Sequence, residues 1–539
     1  MARTSGNGVK LLRRQVLQRA AIAGAAGPAL FAEPATAQAG LRKGGTLTMM
    51  ITPEPPLLIL GVNNQGPTLI VGSKIYEGLL TFSAKLDARP GLAKSWTVSP
   101  DGLTYVFNLQ SGVTWHDGKP FSADDAVFSI LKFHMEVSPR SRAIFQRIDS
   151  CVASDANTIV IKLKAPFEPF LLMFDSTTCA IVPKHIYDGT DYRNNPANQT
   201  PIGTGPFKFG EWQRGNFIKL VRHDKYWKPN LPVLDELIYR VIPDSNLRGV
   251  SLQTGQVQVA SFNDIEAFDV PRFRAEPNLN VDITGWELFS PLSWLDINHR
   301  VKPLDDVRVR RALAMAIDRN FILNRIWFGV GKPATGPISS TTRFYDPQVK
   351  LPAFDVKAAA ALLDEAGLKP KADGTRLELK FMSLPYGEIW TRLGEYIRQA
   401  FSQIGVKLTA EAVDAGAWVR KLANWEYDLT INFVYQWGDP TLGVERTYVS
   451  TNIQKIAFTN TMGYVNPRVD DMFKIARESS DAATRQRALS DVQKLLIEDM
   501  PVIWLLELAF PTIHEKRVRN LITSGTGIHA PFDDAGFAT

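Results

Sequence analysis

The spacing of hydrophobic and polar positions changes several times along this 539-residue chain, and each change marks an element. On either side of Ser99-Pro100-Asp101-Gly102 the period is two: Trp96 and Val98, then Tyr105, Phe107 and Leu109, alternate with polar residues. This predicts two strands joined by a Pro-Asp-Gly turn. A second turn follows at Trp115-His116-Asp117-Gly118-Lys119-Pro120. Ser122 then predicts a helix start, with Asp124 and Asp125 where the positive end of the helix dipole favours them. The same alternation predicts a strand at 158–163; further strands are expected at 44–52, 207–212 and 427–435, and a short helix at 73–80. From Val281 onward an α/β pattern takes over. Amphipathic helices are predicted at 303–317, 356–366, 387–404 and 484–499, the middle two each ending on a glycine, Gly367 and Gly405. The continuous apolar run 501–510 predicts a buried strand returning to the core.

A chain of this length exceeds what one core organises, so two or three domains are expected. Composition is that of a globular protein, 45% hydrophobic and 22% charged. The net charge of +6 changes the picture only through its location. Residues 1–39 carry five cationic side chains against Glu33, which is +4 of it, and leave about +2 for the rest, where Lys and Arg are interspersed with Asp and Glu. No basic stripe remains to track phosphates, so no nucleic-acid partner is expected.

Arg13-Arg14-Gln15-Val16-Leu17-Gln18 resembles a twin-arginine export motif. A weakly apolar segment, 20–32, and the small-x-small site Ala37-Gln38-Ala39 follow it, predicting an export signal over 1–39 cleaved near Ala39. Leu12 and Val16 stand where that motif usually has Ser and Phe, so the twin-arginine and general secretory routes both remain open. No Cys lies near the cleavage site, so a soluble periplasmic protein without a lipid anchor is expected.

Catalytic patterns are sparse. There is no G-x-S-x-G and no H-E-x-x-H, and the seven histidines show no metal-ligand spacing, so no cofactor or metal is implied. His116-Asp117 is the one dyad candidate, but Asp-Gly in a turn is ordinary turn chemistry. Gly203-Thr204-Gly205 opens no helix and has no P-loop lysine, so a tight turn before a strand is expected. Cys151 and Cys179 either form a disulfide in an oxidising compartment or stay buried free thiols in neighbouring strands.

The wording of the chain is more specific than its periodicity. The motifs S-P-D-G, T-Y-x-F-x-L, W-H-D-G-K-P-F and A-D-D-A-V-F-S (positions 99–129) occur in one order. Tyr226-Trp227-Lys228-Pro229, residues 252–260 and the run 307–319 continue it. Together they resemble family 5 of the extracytoplasmic solute-binding proteins, the dipeptide, oligopeptide and nickel receptors of bacterial ABC importers. The resemblance implies an α/β two-lobe periplasmic-binding-protein fold with hinge and cleft, plus an extra small domain in the first lobe (cluster C type). Placed on this chain, the first lobe is expected at 40–76, 180–280 and 503–539, the small domain at 77–179 and the second lobe at 281–502. The chain is expected to cross between lobes near 278–285 and 500–506. The implied function is a periplasmic, monomeric, non-enzymatic receptor that closes on a small-molecule or short-peptide ligand and docks on permease subunits. An exported hydrolase or cofactor enzyme is the alternative.

The resemblance also points to ligand contacts. Peptide receptors of this family anchor the ligand amine with an acid a few positions before a D-P or E-P step. Here that position is Tyr435 or Gln436, and Asp439 matches the D-P step itself. The loop that supplies a second acid reads Asn64 and Gln65. Arg140 stands where the oligopeptide receptors place a ligand-facing Tyr. Trp294, Trp418 and Trp437 complete the candidates as aromatic wall. A site without an acid is expected to prefer a neutral or anionic ligand to an ordinary free-amine peptide.

Overall fold

The computed structural model describes residues 40–539, so the export-signal reading of 1–39 lies outside the described residues. Two open sheets organise them. The first has seven strands in the order Leu279–Asp282, Thr512–Glu515, Val259–Ala260, Thr46–Ile51, Glu236–Val241, Phe217–Arg222 and Phe207–Gln213. Its centre is parallel, Thr46–Ile51 lying between Val259 and Glu236–Val241, and its flanks are antiparallel. The second has six, in the order Lys332–Pro333, Val502–Glu507, Leu292–Ile297, Leu429–Val434, Leu377–Met382 and Val406–Glu411.

The central strands Leu292–Ile297 and Val502–Glu507 are buried at every position. That is why Val502–Glu507 runs apolar almost throughout, and why Leu292–Ile297 shows no apolar/polar alternation even though it includes Ser293 and Asp296. Helices Val307–Met315, Val356–Glu365, Glu388–Ser402 and Ala482–Asp499 belong to the same half of the chain. Asp306, Asp355 and Asp481 cap three of them by accepting from a backbone N–H of the first turn.

A third, antiparallel sheet of four strands is ordered Ala93–Val98, Thr104–Leu109, Thr158–Leu163, Ile148–Asp155. The Ser99–Gly102 turn joins the first two, Gly102 donating to Ser99 O at 2.8 Å. This sheet has no core of its own. Phe107, Leu109, Ile159 and Ile161 belong to one continuous apolar cluster with Leu47, Met49 and Leu237 of the seven-stranded sheet.

Several expectations need correction. Residues 73–80 are not a helix; the helix is Gly66–Gly72, and the chain leaves it through a turn at 73–75 before reaching the strand Leu80–Phe82. Gly203 and Gly205 explain the difference. A Cβ at Gly203 would sit 1.9 Å from Ile75 O, and one at Gly205 2.6 Å from Lys74 O, so two backbones run in contact there. The first crossing between sheets falls between Asp282 and Leu292, overlapping the expected 278–285. The second lies at 508–511, not 500–506: Val502–Glu507 pairs wholly within the six-stranded sheet, and only Thr512–Glu515 belongs to the other.

Cys151 and Cys179 are both buried free thiols. Cys151 is on a strand, but Cys179 ends the short helix Ser176–Cys179. Burial pushes the Cys151 thiol up to about 12 and raises Cys179 further. Among the described residues no helix is long and apolar enough to cross a membrane, and no cluster of three or more metal-ligating side chains occurs.

Candidate functional site

Between the two large sheets lies a cavity of about 1670 Å³. Its wall draws on the loop and helix start at 64–67, the segment 139–147 beside the four-stranded sheet, and 384–390, 432–437 and 441–459 of the second lobe. Both crossings contribute, through Leu288 and Phe510.

The strand Leu429–Val434 and the residues after it form the aromatic floor. Side chains alternate there, so Phe433, Tyr435 and Trp437 are half-exposed to the cavity while Gln436 turns the other way. Ring centroids are 5.8 Å apart for Phe433 and Tyr435 and 5.6 Å for Tyr435 and Trp437. Trp390 stacks on Phe433 at 5.6 Å and 12°. Trp418 lines the cavity with its ring while its Nε1 donates to Thr430 Oγ1 at 2.9 Å.

Arg140 is delivered by the helix Pro139–Phe145, whose N-cap Ser138 accepts from Ser141 N. Its Nη2 donates to Thr178 Oγ1 at 2.6 Å, and its guanidinium carbon lies 3.2 Å from the ring centre of Trp437. Trp437 belongs to the second lobe, so this stack spans the cavity mouth. Arg446, on the short helix Glu445–Tyr448, also lines the cavity. Burial, and after it the Arg446 charge, push the Arg140 guanidinium down to about 9, and burial pushes Arg446 down to about 10.

The carboxylates of the wall are already engaged. Glu266 pairs with Arg248 at 3.7 Å, Glu388 with Arg392 at 2.7 Å, and Glu445 with Arg477. Arg147 adjoins that last pair and lies 4.9 Å from the Phe167 ring centre. Among the described residues neither Arg140 nor Arg446 forms an ion pair with a carboxylate. The acid nearest in effect to Arg140, Asp175, is held by Thr177 through its N–H and hydroxyl.

Of the residues the sequence singled out, Asn64, Gln65, Arg140, Trp418, Tyr435 and Trp437 are on the cavity wall. Three are not. Trp294 lies in a central strand, 2% exposed, inside the second lobe's core. Gln436 accepts from Ser339 N and Thr342 Oγ1 and donates to Pro337 O, all on its own lobe. Asp439 is fully buried, caps Pro440–Gly443 through Thr441 N, and receives both Nη2 contacts of Arg485 at 2.9 and 2.8 Å. His116 is no dyad member either: its ring nitrogens meet Gly205 O and Gly203 N, while Asp117 pairs with His185 at 2.7 Å. Sequence reasoning missed Arg446, which no motif flags, and Phe433, which the alternation through Tyr435 could have found.

Two α/β lobes enclosing a solute-sized, aromatic-walled cavity define a solute-binding receptor. The chain belongs to a particular family of these: residues 87–455 match the one described as "Bacterial extracellular solute-binding proteins, family 5 Middle". It is 28% identical over 477 residues to the glutathione-binding protein GsiB of Escherichia coli O1:K1 / APEC, covering 86% of this chain and 89% of that one. To the dipeptide-binding protein of Escherichia coli (strain K12) it is 28% identical over 487 residues, 84% of this chain and 88% of the other. The fold matches the ABC transporter-associated periplasmic binding protein DppA from Helicobacter pylori in complex with the peptide STSA. The TM-score is 0.79 at 24% identity, covering 92% and 99% of the two chains. Both curated relatives are named as binding proteins, and the chain is a bacterial extracellular solute-binding protein of this family.

Proposed function

We propose that the protein is exported to the periplasm, captures a small neutral or anionic organic solute by closing its lobes, and delivers it to permease subunits without chemical turnover. Export is supported by the twin-arginine-like stretch and the Ala37-Gln38-Ala39 site. A monomer suffices for this role, with 281–507 as the second lobe and the four-stranded region 77–179 as an annex of the first. Capture by closure is supported by a cavity whose wall is drawn from both lobes.

The charge balance of that wall carries the ligand reading. Glu266, Glu388 and Glu445 each have an arginine partner, so no acid is left over for a ligand ammonium. Asp439, the remaining sequence candidate for that role, is committed to Arg485. An ammonium enclosed without a carboxylate partner loses several kcal/mol of hydration, roughly what a closing cleft has to supply. Amides and hydroxyls, by contrast, find Asn64, Gln65 and Tyr435.

Calorimetry with a di- to pentapeptide pool, its N-acetylated counterpart, sugars and dicarboxylates tests this. The acetylated or acidic compounds should bind at least as tightly as the free-amine peptides and be recovered unchanged. Tight binding of free-amine peptides that acetylation abolishes would refute the ligand class.

A further inference from the structure

Arg140 and Arg446 come from opposite sides of the cavity. Arg140 is on the helix beside the four-stranded sheet, and Arg446 is on the second lobe. Arg140 is carried across to the second lobe by its stack on Trp437, 3.2 Å from the ring centre, and both guanidiniums stand on the wall of one cavity. Both face the cavity, and neither has an acid in ion-pair contact. Each feels the loss of water, and Arg140 also feels the charge of Arg446. Two like charges drawn into a drying space oppose the motion that joins them.

We propose that Arg140 and Arg446 form a split anion subsite whose occupant, the carboxylate of an amphipathic organic acid, is the trigger for lobe closure. This deepens the receptor reading above and rests on it. The stack on Trp437 covers the face of Arg140, and Thr178 takes one Nη2 contact, so the guanidinium offers its remaining in-plane N–H donors. An edge of that shape matches a planar carboxylate better than a neutral carbonyl. The rest of the second-lobe wall, Trp390, Phe433, Tyr435, Trp418 and Phe458, is aromatic and suits an apolar body attached to that carboxylate.

The trigger follows from population-shift arithmetic. A ligand closes the protein only to the extent that it favours the closed state over the open one. A carboxylate shared by both arginines removes the repulsion in the closed form and touches at most one of them in the open form. A neutral analogue of the same shape leaves the repulsion in place.

The test has two arms. The first needs no ligand: small-angle scattering of protein stripped of bound solute, comparing wild type with Arg446→Gln and Arg140→Gln in 20 mM and 500 mM salt. Wild type should be open at low salt and more compact at high salt, and Arg446→Gln should be compact in both, because screening or neutralisation removes the repulsion. A wild-type radius that neither salt nor either substitution changes overturns the trigger.

The second arm is calorimetry with N-acetyl-Phe-Ala, its C-terminal amide and inorganic phosphate. The free acid should bind on the order of 30-fold more tightly than the amide, as expected for charge-assisted bonds to one carboxylate. Each arginine substitution should erase that preference, with the amide binding more tightly than to wild type because the repulsion it closes against is gone. Equal binding of acid and amide, no binding of the acid, or phosphate binding more tightly than the acid each overturns the carboxylate subsite. The receptor reading fails separately: it survives if any solute compacts the protein, and falls if none does.

Discussion

Glu77 is 5% exposed and accepts hydrogen bonds from Tyr226 Oη at 2.8 Å and from Trp227 Nε1 at 3.1 Å. Burial pushes its carboxyl from 4.5 up to about 7, against the opposing pull of Lys228. The folded chain therefore holds this proton more tightly than the unfolded chain. Stability from this group is complete below pH 4.5 and is lost as pH rises to about 7, by about 3 kcal/mol in total. Buried histidines act in the other direction: burial pushes His116 and His529 down to about 3, so their contribution is present above 6.5 and lost as pH falls. Glu77→Gln keeps an acceptor for Tyr226 and Trp227 and removes the titration. Urea unfolding at pH 5.5 and 8.5 should show a smaller decline with pH in the variant, by about 2 kcal/mol. An unchanged decline would show that the Glu77 carboxylate is relieved of its burial by other means.

At the scale of elements, Asp439 shows how one residue can hold three helices in register. It caps Pro440–Gly443, and it grips Arg485 of Ala482–Asp499, whose Nε donates to Ala476 O of Pro467–Glu478. Arg485 is 1% exposed, so Asp439→Asn leaves a buried guanidinium with half its partner. The variant should lose about 3 kcal/mol of stability, in the range for breaking a buried pair, with ligand selectivity unaltered in whatever fraction folds. Selective loss of free-amine ligands with stability intact would restore Asp439 as a ligand anchor.

The same scale explains what the sequence revealed. The Ser99–Gly102 hairpin was legible because both its strands alternate and its turn residues have fixed conformational preferences. The 73–80 segment was not. Ile75, Tyr76, Leu79 and Leu80 have helical spacing, yet all are buried because the chain is enclosed on every side, with Gly203 and Gly205 pressed against it. The 501–510 run hid its crossing for a related reason: strands buried on both faces have no period to show which sheet they join. In the site, aromatic richness was readable, but the parity that separates Tyr435 from Gln436 depends on where the strand ends. Arg446 lies in no pattern at all.

For the whole molecule, an ion pair outside the cavity wall also joins the first lobe's annex to the second lobe. Glu168, at the start of the 3-10 helix Glu168–Phe174 in the first lobe's annex, accepts from Arg485 Nη1 of the second lobe. Arg343 lies 3.6 Å from its other oxygen. Arg485 keeps its two bonds to Asp439 whether or not Glu168 is present, so opening leaves no buried charge unpaired. The contact is therefore suited to being made and broken, unlike the Asp439 pair.

Glu168 is 29% exposed, which limits its contribution to about 1 kcal/mol, near the upper end for partly solvated pairs. Glu168→Gln should weaken every ligand by a similar factor, about fivefold, because it acts on closure and touches no solute. The effect should be mainly a faster release, and should shrink in 0.5 M salt as the remaining ion pairs are screened. Stopped-flow release of two chemically different bound solutes would measure it. An effect confined to one solute would place Glu168 in recognition, and no effect on either would show that closure does not depend on this contact.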